Sequence, residues 1–184
     1  IATPKSGLTA EVIEVHSWDE LPALGSAIKG KIVFYNGAMD PTLVNTFSAY
    51  GGAVSQRGNG ASEAAKFGAK AVVIRSMSNR KDDIPHTGSL RYKALMPIIP
   101  ALAISTNDAD LLSSLLKEQP NLKIYLESHG KQLEDVLSYN VIGEIKGSEF
   151  PDQIITVGGH LDAWETGEGA HDDGAGCMQS LEVL

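Results

Sequence analysis

Two short runs rich in β-branched and aromatic residues, Lys31–Tyr35 (KIVFY) and Ala69–Ile74 (AKAVVI), constrain the fold more than any other feature of this chain. Gly30 precedes the first and Gly68 the second, and the second reads as a strand buried on both faces. Helical stretches are expected between them, around Thr42–Tyr50 and Ala61–Phe67, with Gly68 as a stop. Glu11–His16 alternates like a strand, and Ile99–Ile104 and Asn121–Leu126 read as two more. Ser105 opens a helix running through Leu115 and Leu116, with Asp108 three residues on as a short version of a capping box. Short strands alternating with short helices define an α/β fold class.

The chain has 184 residues, 42% hydrophobic and 21% charged, which suits a buried core and excludes a disordered or collagen-like chain. Fifteen Lys and Arg against 23 Asp and Glu leave a net charge of −8, a poor balance for holding nucleic acid or an anionic membrane. A single Cys, Cys177, rules out an internal disulfide framework and any Cys-rich zinc module. The most apolar stretch, Leu95–Ile104, is interrupted by Pro97 and Pro100 and is too short to span a bilayer. A polar linker from Ser128 to Ser138 divides the chain. Beyond it lie strand candidates Tyr139–Ile145 and Gln153–Gly159, a Gly-rich loop from Gly158 to Gly176, and a helix start at Cys177–Leu184. No signal peptide is visible, the chain opens without Met, and it ends inside a helical pattern, so it reads as a piece of a longer protein.

The chemistry concentrates in that Gly-rich loop: Gly158-Gly159-His160-Leu161-Asp162-Ala163-Trp164, then Gly169-Ala170-His171-Asp172-Asp173-Gly174-Ala175-Gly176. A strand ending in His160 would deliver an imidazole to the carboxyl edge of a sheet, where α/β folds gather their ligands. On extended backbone Asp162 shares a face with His160, so its carboxylate can take the spare ring N–H of a metal-bound imidazole. Asp172 and Asp173 would repel one another beside a His unless a dication supplied compensating charge. Nitrogen with carboxylate ligands suits zinc. Two protein ligands, His160 and Asp172, do not complete a site.

The pair GGHLDAW and GAHDDGAG resembles the signature of the two-zinc exopeptidases, the aminopeptidase and glutamate-carboxypeptidase superfamily, and within it the carboxypeptidase Q-like branch. Pro85-His86-Thr87-Gly88, Ile99-Pro100-Ala101 and Ser105-Thr106-Asn107-Asp108-Ala109 resemble that branch's inserted protease-associated domain. Ser138–Gly147 resembles the strand on which the peptidase domain resumes. The resemblance implies a β-rich protease-associated domain over residues 1–128, followed by the start of an α/β zinc-peptidase domain with a mixed sheet over 129–184. It makes His160 a ligand of one zinc, Asp162 the residue that orients it, and Asp172 the bridge between two zinc ions, with Asp173 shaping the loop. The general base would be a Glu in a later Glu-Glu pair that this chain lacks, so these residues alone should be inactive. The implied substrate is a short peptide hydrolysed by a metal-activated water. Export, as a secreted or periplasmic protein, follows from the same analogy, and a homodimer is compatible with it. By resemblance the inserted domain overhangs the active site, which makes His86 a candidate substrate contact.

Several other readings compete. Gly58-Asn59-Gly60-Ala61-Ser62-Glu63 looks like the front of a dinucleotide fingerprint, but Glu63 stands at its third glycine. Asp172-Asp173-Gly174 lacks the alternating oxygen ligands of a calcium loop. His171 is expected to be an exposed loop residue, Cys177 a small buried thiol, and Trp164 either a wall of the site or an anchor of its loop. Against the peptidase stands a non-catalytic protease-associated binding or adaptor module with a degenerate peptidase remnant. A third reading keeps the metals and changes the substrate to an amide such as a cyclised glutamine.

Overall fold

The computed structural model describes residues 1–164 and 167–184. The chain divides into two compact units, Ile1–Leu133 and Glu134–Leu184. Elements of the first are β1 (Leu8–Val15), α1 (Leu21–Leu24), β2 (Ile32–Tyr35), α2 (Thr46–Ala65), β3 (Ala71–Arg75), β4 (Ala101–Ile104), α3 (Thr106–Glu118) and β5 (Lys123–Leu126). The second unit carries one α-helix among its described residues, α4 (Ala175–Val183). No helix among the described residues is long and apolar enough to cross a membrane.

The strands form one five-stranded mixed sheet in the order β4-β3-β2-β1-β5. β1 through β4 run parallel, and β5 closes the other edge antiparallel to β1. Alternation along the central strands builds two layers of core. Val33, Tyr35, Val72 and Ile74 pack with Ala61, Ala64 and Ala65 of α2, whereas Ile32, Phe34, Ala71 and Val73 pack with Ala109 and Leu112 of α3. All eight strand side chains are buried, and each large aliphatic or aromatic one contributes about 1.5–3 kcal/mol on leaving water. The runs KIVFY and AKAVVI are therefore continuous because both faces of their strands are covered.

α2 departs from the sequence reading. Instead of two helices it is one of 20 residues, begun by the Asn45 side chain accepting the Ser48 N–H at 3.2 Å. Gly58 and Gly60 lie inside it, which removes the dinucleotide fingerprint: its glycines would have to sit in a strand-to-helix turn. Gly60 has a packing role. A Cβ there would come within 2.8 Å of the Tyr35 ring, and the Tyr35 hydroxyl donates to the Gly60 carbonyl at 2.9 Å. Gly68, at φ +80°, supplies the stop after the helix. At α3 the expected cap forms: Ser105 Oγ accepts the Asp108 N–H at 3.0 Å and donates to the Asp108 carboxylate at 2.8 Å.

The strands expected at Tyr139–Ile145 and Gln153–Gly159 are not strands in the structure; both segments enter no ladder. Their composition favours strand, but a strand exists only through a paired neighbour, and the described residues of this unit offer none. The mixed sheet of this chain lies wholly within residues 8–126.

Candidate metal centre

The site is built where the Gly-rich loop enters α4. Gly169, at φ +70°, starts a wide turn in which the Gly174 N–H reaches the Gly169 carbonyl at 2.7 Å. Asp172 (φ −120°, ψ 90°) and Asp173 (φ −132°, ψ 33°) leave the helical region inside this turn, and the peptide between them is cis. The two adjacent carboxylates then have different partners. That of Asp173 accepts the Gly176 N–H at 3.1 Å, in the first turn of α4, and the His160 N–H at 3.2 Å. The carboxylate of Asp172 meets the ring of His160 instead, Oδ1 to Nε2, at 2.9 Å.

The opposite edge of the same imidazole faces Asp162. His160 Nδ1 lies 2.8 Å from the Asp162 carbonyl and 3.1 Å from its Oδ1. The structure thus brings together the three residues that the spacing singled out. Both ring nitrogens face oxygen acceptors: Nδ1 has the Asp162 carbonyl and carboxylate, and Nε2 has the Asp172 carboxylate. A cation has to stand between two such atoms, either a proton or a metal ion. The hydrogen bond with Asp172 raises the His160 pKa above its ordinary value, helped by the Asp162 carbonyl and the charges of Asp162 and Asp173. Two ligands of one tetrahedral zinc stand roughly 3.3 Å apart, given Zn–N and Zn–O bonds near 2.0–2.1 Å. The observed 2.9 Å is within a few tenths of an ångström of that span. Nitrogen and carboxylate oxygen are ligands zinc accepts, so the residues present fit the ion. Among the described residues, no group of three or more His, Cys, Asp and Glu side chains is placed to hold a metal ion.

Close backbone packing fixes the imidazole's origin. A Cβ on Gly159 would lie 2.6 Å from the Cys177 nitrogen and 2.9 Å from Asp173 Oδ2, so only glycine lets the segment before His160 lie against the start of α4. Cys177 is half-buried, not the buried core thiol expected. Its Sγ–H donates to the His160 carbonyl at 3.3 Å, because the first turn of α4 lies along the 159–160 backbone. His171 is exposed, as its loop position suggests. Trp164 is 47% exposed, and its carbonyl accepts the Gly167 N–H at 2.8 Å.

His86 belongs to the first unit, where it is half-buried and its backbone N–H donates to Ser76 Oγ at 2.7 Å. Sequence reasoning assigned Asp173 to the loop but missed its double grip on the His160 and Gly176 amides. A signal was available: an acidic residue three positions before a helical N–H is the spacing of an N-terminal cap.

Comparison with known proteins bears on the same segment. Residues 140–184 match peptidase family M28. Over all 184 residues the chain is 41% identical to carboxypeptidase Q of Bos taurus, and it spans 37% of that protein's length. A solved structure described as a peptidase M28 precursor from Shewanella amazonensis SB2B superposes with a TM-score of 0.86 at 39% identity, covering 95% of this chain and 39% of that one. An aminopeptidase from Aneurinibacillus sp. strain AM-1 shares the fold, with a TM-score of 0.54 at 20% identity over 95% of this chain and 38% of its own. The family match covers residues 140–184, which contain the His160, Asp162 and Asp172 cluster, and the whole chain is similar to a segment of carboxypeptidase Q and of the M28 precursor.

Proposed function

We propose that the protein is a zinc metallopeptidase, an exopeptidase or dipeptidase acting on short peptides, and that His160 and Asp172 are metal ligands. The observation that carries this reading is the 2.9 Å approach of His160 Nε2 to Asp172 Oδ1, with Nδ1 engaged by Asp162 on the other edge. In this proposal His160 would be a ligand of one zinc ion and Asp172 would be a ligand common to two. Asp162 acts through His160: it fixes the tautomer and raises the basicity of the ligating nitrogen. Asp173 ties the His160 backbone to the first turn of α4 through the amides of His160 and Gly176. Bound zinc would act as a Lewis acid on a water molecule and on the scissile carbonyl.

Residues 1–128 are proposed to be the protease-associated domain. Hydrogen bonds between Thr3 and Ser128, at 2.9 Å and 3.0 Å, place the two ends of that stretch side by side, a geometry that suits a domain set into another. His86 is proposed as a substrate contact by resemblance to that domain's loop, and export is proposed on the same footing. The 184 residues contain no Glu-Glu pair to serve as general base, so this chain alone is proposed to be inactive.

The test is metal content and dipeptide hydrolysis in the intact enzyme. A chelator should abolish turnover and zinc restore it, and His160→Ala or Asp172→Ala should lower bound zinc. Undiminished hydrolysis by metal-free Asp172→Ala enzyme would refute the mechanism. His86→Ala should raise KM for short peptides while leaving zinc content intact.

A further inference from the structure

Lys29, Lys31, Lys70 and Lys123 line one open cleft of about 360 Å³ in the first unit, where β2 and β3 begin. Strand register explains why they converge. Lys123 in β5 is the cross-strand partner of Glu11 in β1. Val12 pairs with Ile32, which sets Glu11 beside Lys31 at the mouth of β2, and the Lys70 N–H donates to the Lys31 carbonyl at 2.8 Å. Cross-strand partners share a face of the sheet, so Lys123, Glu11, Lys31 and Lys70 form one row. Lys29 joins from the preceding turn, with its stem beside Gly68, where a Cβ would stand 3.3 Å from Lys29 Cγ.

Glu11 is the one carboxylate in the lining, and it bonds Lys31 at 3.2 Å. Lys29, Lys70 and Lys123 have no carboxylate partner among the described residues. Crowding ammonium groups costs free energy through self-repulsion, and the rest of this chain is acidic, so the local excess of positive charge is set by register and not by composition. Lysine presents a compact, rotatable point charge that suits phosphate oxygens without the planar fork of arginine. The remaining walls include Thr9, Ala10 and Gly30, which offer no apolar pocket for reading peptide side chains. We propose that this cleft binds a small, multiply charged anion of the polyphosphate class, independently of the metal centre.

Calorimetric titration of the 184-residue chain with tripolyphosphate in zinc-free buffer tests this. One site is expected, weakening as ionic strength rises. Lys70→Ala and Lys123→Ala should each weaken it about two- to fivefold, and Glu11→Gln, which frees Lys31, should tighten it by a similar factor. Circular dichroism of each variant reports whether the sheet is intact, and Lys29→Ala, in a turn outside the strands, is the variant least able to disturb it. Absence of binding, affinity unchanged in Lys29→Ala and Lys70→Ala, or no tightening in Glu11→Gln would overturn the proposal. So would a tetraglutamate peptide binding as tightly as tripolyphosphate, because that outcome identifies an acidic-peptide surface.

Discussion

In residues 1–133 the side chains of β2 and β3 are closed off by α2 on one face and α3 on the other. In residues 134–184 Ile154 and Ile155 are 87% and 92% exposed, and the order around His160 comes from short-range hydrogen bonds, among them the grip of Asp173 on two amides. The first unit is held by burial, which is non-directional and tolerant of small shifts. The second holds its chemistry by directional hydrogen bonds over short stretches of backbone. That contrast suits the two tasks, since ligand positions must be set to within tenths of an ångström, whereas a scaffold need only be packed.

Breaking the first kind of order should have the largest effect on stability. Tyr35→Ala removes a fully buried ring and its hydrogen bond to the Gly60 carbonyl, and should cost about 3–5 kcal/mol in denaturant unfolding. Leu161→Ala, at a 71% exposed position of the second unit, should stay within about 0.5 kcal/mol. Equal losses at both positions would erase the distinction.

Asp162→Ala sharpens the comparison from the other side. It should lower zinc affinity about 10- to 100-fold, read by competition with a chromogenic chelator, with little change in the unfolding midpoint of the first unit. A smaller effect is expected at the α3 cap, where Ser105→Ala should cost about 1 kcal/mol in the same unfolding assay.

The smallest predicted effect is a pH dependence. Hydrogen bonds from Lys81 and then Arg75 hold the Asp110 carboxyl below its ordinary value near 3.8. Its folded pKa is therefore below its unfolded one. The stability it contributes is present above about 3.8 and is lost as pH falls through the folded value. Asp110 is 48% exposed, so solvent screening limits the contribution to about 1 kcal/mol or less. Comparing urea midpoints of the parent and Asp110→Asn at pH 7 and pH 3 should show a gap at the higher pH that narrows at the lower.

These regions also differed in how far the sequence could be read. β2, β3 and the Ser105 cap were legible because their signals are local: an apolar run between glycines, and a hydroxyl three residues before an acidic one. Helix α2 was not, because Gly51, Gly52, Gly58 and Gly60 look like breaks when read locally. Gly60 is required where the Tyr35 ring packs on the helix, a contact between residues 25 positions apart that local reading does not reveal. The segments at 139–145 and 153–159 failed in the opposite way, since their residues favour strands but composition cannot supply a partner. At the candidate metal centre the spacing of His160, Asp162 and Asp172 was sufficient to anticipate their convergence. The division of labour between Asp172 and Asp173 was only partly visible, because it depends on non-helical φ and ψ at those two residues.

The most direct measurement is the nitrogen NMR spectrum of the His160 imidazole as zinc is added to the labelled protein. The predicted result is a metal-induced shift of Nε2, with Nδ1 remaining protonated toward Asp162, and loss of that response in Asp172→Ala. Coordination through Nδ1, or a zinc response at His171 with His160 unmoved, would contradict the account.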